Sequence, residues 1–207
     1  MPIARHRPAI NRRGLIKGGA LAGATAFLSA APTAYAAEPV TFDVALDGRT
    51  MTINRLNPTE PVNPPMIGDT FVVFGSIYPA GTIDEGLAGP DQTGAIGCWV
   101  CRGTFIVDVA SGATPHVATG VLFAFGEGLS AASRQLDTAL DGLLIDGVEG
   151  GVDEVPRPVA GGFGRYAGAR GEVVQTLRGE NDTLIQLAPD VAVSAWNYTF
   201  RFTIEPR

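Results

Sequence analysis

The chain has 207 residues, with 15 Lys and Arg against 21 Asp and Glu, for a formal net charge of −6. Lys17 is the only lysine, and five of the 15 basic residues fall within the first 17 positions, so everything after them is strongly acidic. Such a surface repels phosphate backbones and anionic headgroups, which argues against nucleic-acid or peripheral membrane binding and leaves a neutral, cationic or apolar partner.

Arg5, Arg7, Arg12, Arg13 and Lys17 make a basic opening without an acid, an apolar run follows from Gly18 to Ala30, and Ala34-Tyr35-Ala36 closes it. This order reads as a cleavable export signal over residues 1–36. The run is too short and too rich in Gly and Ala to span a bilayer stably. Asn11-Arg12-Arg13-Gly14-Leu15-Ile16-Lys17 is close to the twin-arginine pattern, so the expected destination is extracellular or periplasmic. Cleavage leaves residues 37–207, with 10 basic residues against 21 acidic and a net charge of −11. That length suits one well-buried domain and holds no second span of membrane length.

The apolar residues then recur with a period close to two. "TFDVALDGRTMTINRL" predicts a first hairpin turning at Asp47-Gly48. "TFVVFGSIY" sets Phe71, Val73, Gly75 and Ile77 against Val72, Phe74, Ser76 and Tyr78, and "CWVCRGTFIVDV" sets Trp99, Cys101, Gly103 and Phe105 against Val100, Arg102 and Thr104. "HVATGVLFAF" aligns Val117, Thr119, Val121, Phe123 and Phe125, and the closing "NYTFRFTIE" aligns Tyr198, Phe200, Phe202 and Ile204. These are strands, rich in β-branched and aromatic residues. Pro- and Gly-rich stretches separate them at residues 56–65, 84–97, 110–115 and 145–158. Many short strands between turn signals predict a sandwich or barrel. "GLSAASRQLDTALDGLLID" fits a short helix or two strands, and strands are the preferred reading.

Cys98 and Cys101 form a C-x-x-C inside an alternating run, where residues i and i+3 point to opposite faces. Free buried thiols, a local disulfide made at a bulge, and redox or metal chemistry all remain open. Zinc would want four ligands.

"GGFGRYAGARGEVVQ", residues 161–175, carries five glycines in its first eleven positions. A dinucleotide loop needs Gly-x-Gly-x-x-Gly opening a helix; here the third glycine comes one place late, and a strand-like run follows. Glycines in this setting predict a sharply bent strand or a close backbone approach.

"GDTFVVFGSIYPAGTI", "WVCRGTFIVD", "PHVATGVLFAFGEG", "GGFGRYAGARGEVVQ" and "YTFRFTI" occur in an order that resembles the allene-oxide-cyclase-like β-barrel proteins, including exported bacterial members. The plant dirigent proteins are a more distant likeness. The resemblance covers about residues 65–205 and implies an all-β fold, a single eight-stranded antiparallel barrel with an apolar interior pocket, commonly a homotrimer. It also implies that an unstable small molecule is shaped while it cyclises, isomerises or couples, with no cofactor. In the plant cyclase an Asn helps hold a water near the substrate; that place falls on Gly75 here.

Hydrolytic schemes are unpromising, since His116 is the only His after the export segment. Asp137, Asp141, Asp146, Glu149, Asp153 and Glu154 lack the spacing of a calcium loop and read as a solvated acidic face, so no metal site is expected. If Tyr166 points inward, Gly168, Arg170 and Glu172 share its face, while Phe163, Arg165, Ala167, Ala169 and Val173 take the other. Tyr166, Arg170 and Glu172 are therefore the candidate catalytic residues, the Arg and Glu reading equally as a structural ion pair. Tyr78, Arg102 and Glu127 are candidate ligand contacts near a barrel mouth. Two functions stand: an exported isomerase or cyclase acting on an apolar small molecule, or a barrel that binds such a ligand or serves the cell surface without turnover. Gly75 favours the second; Arg170 and Glu172 allow the first.

Overall fold

A computed structural model describes residues 38–57, 64–83, 89–107, 109, 116–150 and 154–205. The export segment and parts of the turn-rich stretches lie outside the described residues. Eight strands follow one another around a closed barrel: β1 (Glu38–Asn54), β2 (Thr70–Pro79), β3 (Gly97–Phe105), β4 (Val117–Phe125), β5 (Asp141–Glu149), β6 (Val155–Phe163), β7 (Gly171–Ala188) and β8 (Val191–Ile204). Every neighbouring pair is antiparallel, and β1 closes the ring on β8, with Val40 opposite Phe202 and Val44 opposite Tyr198. Closure gives every strand a neighbour on both sides, so no edge strand remains. Among the described residues there is no α-helix, only short 3-10 turns.

The period of two decides which side chains enter. Phe71, Val73 and Ile77 on β2, Trp99, Cys101 and Phe105 on β3, and Val121, Phe123 and Phe125 on β4 all join one buried core. An outer layer explains the strand residues buried on the opposite face. Tyr78 packs with Ala45 and Ile83, and Cys98 packs with Ala124 and Leu129. Ser76, outward on β2, pins both covering segments: its Oγ donates to the Pro90 carbonyl at 2.9 Å and accepts from Ala131 N at 3.0 Å.

Three sequence expectations change. Asp47-Gly48 is not a hairpin turn, because β1 runs unbroken to Asn54 and the irregularity between Asp47 and Thr52 is a bulge against β2. Gly48 sits there because β7 crosses its backbone: an added Cβ would lie 2.5 Å from the Leu184 carbonyl carbon. Residues 128–146 do not form two strands; after a 3-10 turn at Leu136–Thr138, strand begins only at Asp141 and then runs on to Glu149. The glycine-rich stretch is not one bent strand either, but the close backbone approach holds, since an added Cβ at Gly162 would lie 2.5 Å from the Tyr166 carbonyl oxygen. β6 ends at Phe163, a 3-10 turn spans Gly164–Tyr166, and β7 starts at Gly171, with Gly164 and Gly168 at φ 61° and 72°, where glycine turns the chain without strain.

Candidate functional site

The barrel interior is divided along its axis. At the end where β4 passes into β5, rings fill it: Phe42 lies 5.2 Å from Phe123 and 5.5 Å from Phe202, and Phe123 lies 4.8 Å from Phe200, centroid to centroid. Phe42–Phe123 and Phe123–Phe200 are edge-to-face and Phe42–Phe202 is stacked, and such pairs are worth about 0.5–1.5 kcal/mol each beyond their burial. At the opposite end, where β3 finishes and β4 begins, a cavity of about 350 Å³ opens instead. Leu46, Met51, Phe71, Phe105, Val117, Ile185 and Val193 form its apolar walls, and Trp99 and Trp196 add aromatic surface. An eight-stranded barrel has room for packed side chains or for one small ligand, and this one is packed at one end and hollow at the other.

Four polar residues meet on the cavity wall: Glu149 at the end of β5, Arg157 on β6, Gln175 on β7 and Tyr198 on β8. Arg157 is 3% exposed. Its Nη1 donates to Thr119 Oγ1 at 3.2 Å, and its Nη2 donates to Gln175 Oε1 and lies 3.6 Å from Glu149 Oε1. A buried guanidinium is costly unless it is paired and hydrogen-bonded, and Thr119, Gln175 and Glu149 supply those partners. The Cys101 thiol donates to Glu149 Oε2 at 3.9 Å. Burial pushes the Cys101 thiol well above its ordinary value, the Glu149 charge and hydrogen bond adding to the effect and Arg157 opposing it. The Tyr198 phenol is raised for the same reasons, burial first, then the Glu149 charge, then Cys101. Both groups therefore keep their protons at neutral pH. The arrangement can offer a ligand one reachable carboxylate and one protonated phenol inside an apolar chamber.

The sequence-predicted site residues lie elsewhere. Arg170 and Glu172 are exposed on the outer side, while Ala169 and Val173 are buried, so the inward face of β7 has the opposite parity from the expected one. The turn at residues 164–170 resets the alternation, and counting from Tyr166 by twos carries the error into the strand. Tyr166 is half-buried, its ring 5.8 Å from Phe125 at the filled end. Tyr78 is fully buried in the outer layer, where its hydroxyl donates to the Pro90 carbonyl at 2.8 Å. Arg102 and Glu127 are exposed, Arg102 on the outer face of β3 and Glu127 just beyond β4. Both cysteines are free and on opposite faces, which removes the local disulfide. Among the described residues no group of three or more His, Cys, Asp or Glu is placed to hold a metal ion; Asp153 lies outside them.

Sequence reasoning left Glu149 among the solvated acids and passed over Arg157 and Gln175. Arg157 was hidden by its neighbours, since Pro156-Arg157-Pro158 reads as a loop. The two prolines are two apart, so their missing donors fall on one side of β6, and β5 pairs with β6 only from Val159 onward. The usable signal was the alternation itself: exposed Pro156, Pro158 and Ala160 against buried Arg157 and Val159. At Gly75 an added Cβ would lie 2.8 Å from the Ala45 carbonyl and 3.0 Å from Trp99 Cε3, so the Trp99 ring takes the space a side chain would need.

No protein-family model matches the chain, and no curated protein does. Solved structures do. The pterocarpan synthase dirigent protein PsPTS1 superposes with a TM-score of 0.53 at 12% identity, over 82% of this chain and 96% of that one. The pterocarpan synthase dirigent protein GePTS1 gives 0.52 at 15% identity, over 89% and 100%. A pyocyanin demethylase gives 0.46 at 13% identity, over 80% and 100%. The chain is thus similar in fold to dirigent proteins, a closed eight-stranded antiparallel barrel of the kind the sequence led us to expect.

Proposed function

We propose that the hollow half of the barrel holds a largely apolar small molecule and fixes its conformation, so that it cyclises or isomerises there without a cofactor. One observation carries this reading: an otherwise apolar cavity of about 350 Å³ is lined on one wall by Arg157, hydrogen-bonded to Gln175 and ion-paired with Glu149, and by the Tyr198 phenol. Its volume lies at the lower end of the range for small-molecule pockets, which are apolar with a few convergent polar groups. A carboxylate and a protonated phenol could place a proton or a hydrogen bond against a reacting centre while the walls restrict its shape. The polar work therefore passes from Tyr166, Arg170 and Glu172 to Glu149 and Tyr198. Binding without turnover is the second reading, favoured by Gly75, which has no side chain to hold a water.

Membership of the allene-oxide-cyclase-like family belongs to the same proposal, supported by the barrel and by the motifs of residues 65–205. Export by the twin-arginine segment of residues 1–36 and assembly as a homotrimer belong to it too. Exposed Leu144 and Val148 on the outer face of β5 support the assembly.

Native mass spectrometry of the protein purified from its own host, followed by denaturing extraction, tests this reading. A stoichiometric apolar molecule, lost or weakened in Tyr198→Phe and unaffected by Arg170→Ala, is the expected result. An empty barrel in wild-type protein would sink the binding proposal and leave a structural role.

A further inference from the structure

Among the described residues lining the cavity, Arg157 is the cation and Glu149 the anion, and the two are not equally reachable. The Arg157 side chain is 2% exposed, with both Nη nitrogens committed to Thr119, Gln175 and Glu149. The Glu149 side chain is 21% exposed. Among the described residues each of its oxygens has one protein partner, Cys101 on one and Arg157 on the other, and a carboxylate has lone pairs beyond those two. A molecule entering the chamber therefore meets a negative acceptor in surroundings of low dielectric, while the balancing positive charge sits behind it.

We propose that this site is selective for charge: it takes a neutral molecule whose hydroxyl donates to Glu149, and it rejects carboxylates. The inference rests on the reading that the cavity holds a small molecule. A carboxylate would have to approach Glu149 without a free cation to compensate it, and like charges in an apolar cavity repel strongly. A hydroxyl suits the wall from both sides, because it can donate to Glu149 while accepting from the Tyr198 phenol, which stays protonated. The protein as a whole acts in the same direction, since an acidic surface disfavours the approach of anions. Arg157 is on this view a positioning residue that holds Glu149 and offsets its charge.

Three probes of one shape separate the terms: naphthalene, 2-naphthol and 2-naphthoate, titrated calorimetrically into the full chain at pH 7. The expected order is 2-naphthol about tenfold tighter than naphthalene, the gain of one hydrogen bond to a charged acceptor, with 2-naphthoate at least about tenfold weaker than 2-naphthol. Glu149→Gln removes the anion and leaves Arg157 uncompensated. It should erase most of the 2-naphthol advantage and raise 2-naphthoate affinity by about tenfold or more, a gain that a merely structural role for Glu149 would not produce. Equal binding of 2-naphthoate and 2-naphthol by wild-type protein overturns the inference, and so does a Glu149→Gln protein that gains nothing for the anion. If that variant does not fold, the wild-type ranking still decides. Naphthalene binding combined with the wrong ranking defeats the charge selectivity alone, whereas failure of all three probes defeats the cavity reading with it.

Discussion

Cys101 and Tyr198 hold their protons more tightly in the folded barrel than in an unfolded chain, and both do so chiefly because burial disfavours the charged form. The sign of the linkage follows. Their ordinary values are 9.0 and 10.0, so above about pH 9 the unfolded chain begins to release protons that the folded one retains, and the free energy of unfolding falls. Below that pH the contribution is complete. Cys98, buried in the outer layer and pushed up to about 12, acts in the same direction. The urea midpoint should thus be level from about pH 6 to 8 and decline from about pH 9 to 11, at up to about 1.4 kcal/mol per pH unit for each group titrating. Cys101→Ala should make the decline shallower. A midpoint that stays level or rises across that range would show that these groups are not buried as described. The same burial predicts that neither thiol is alkylated by iodoacetamide at pH 8 until the protein unfolds.

At the level of elements, β1 is held by what crosses it as well as by what pairs with it. The bulge after Asp47 brings Gly48 under the backbone of β7, where its N–H donates to Thr183 Oγ1 at 3.0 Å. Thr183 is held in turn by Asn181, whose amide also donates to the Leu46 carbonyl at 2.9 Å. Gly48→Ala drives a methyl into main chain that cannot step aside, and it should cost about 1–3 kcal/mol in urea unfolding, whereas Arg49→Ala on the exposed side should cost about 1 kcal/mol or less. Equal effects would mean that β7 does not press on the bulge. This element also marks what the sequence could and could not reveal. Alternation sorted the residues of β2, β3, β4 and β8 into the two faces that the barrel then separates, because each strand keeps the period of two along the stretch that was read. Asp47-Gly48 carried a hairpin-turn signal and was misleading, because a glycine demanded by a crossing strand looks the same as one demanded by a turn. Arg157 was lost for a related reason: proline punctuates loops, but it is tolerated in a strand wherever a neighbour stops pairing. Glu149 and Arg157 lie only eight residues apart, yet their meeting with Gln175 and Tyr198 depends on barrel closure, which no local pattern contains.

The molecule as a whole sets a packed end against an open one. The Phe42, Phe123, Phe200 and Phe202 cluster supplies dense burial, and the other half encloses a cavity of about 350 Å³. If that division is real, truncations should differ by position more than by chemistry. Phe123, fully buried among rings, should lose about 3–5 kcal/mol on replacement by Ala, since the void it leaves is walled by side chains already in contact. Met51 is only partly buried on the cavity wall, and Met51→Ala widens a space that already exists, so it should cost about 1 kcal/mol or less. Urea unfolding of the two variants beside wild type measures both. Naphthalene binding, followed in the same proteins, should persist in Met51→Ala and weaken in Phe123→Ala only as far as the folded fraction falls. Comparable losses of stability at the two sites would mean that Met51 packs as densely as the aromatic end, and that the chamber beside Glu149 is closed to ligands.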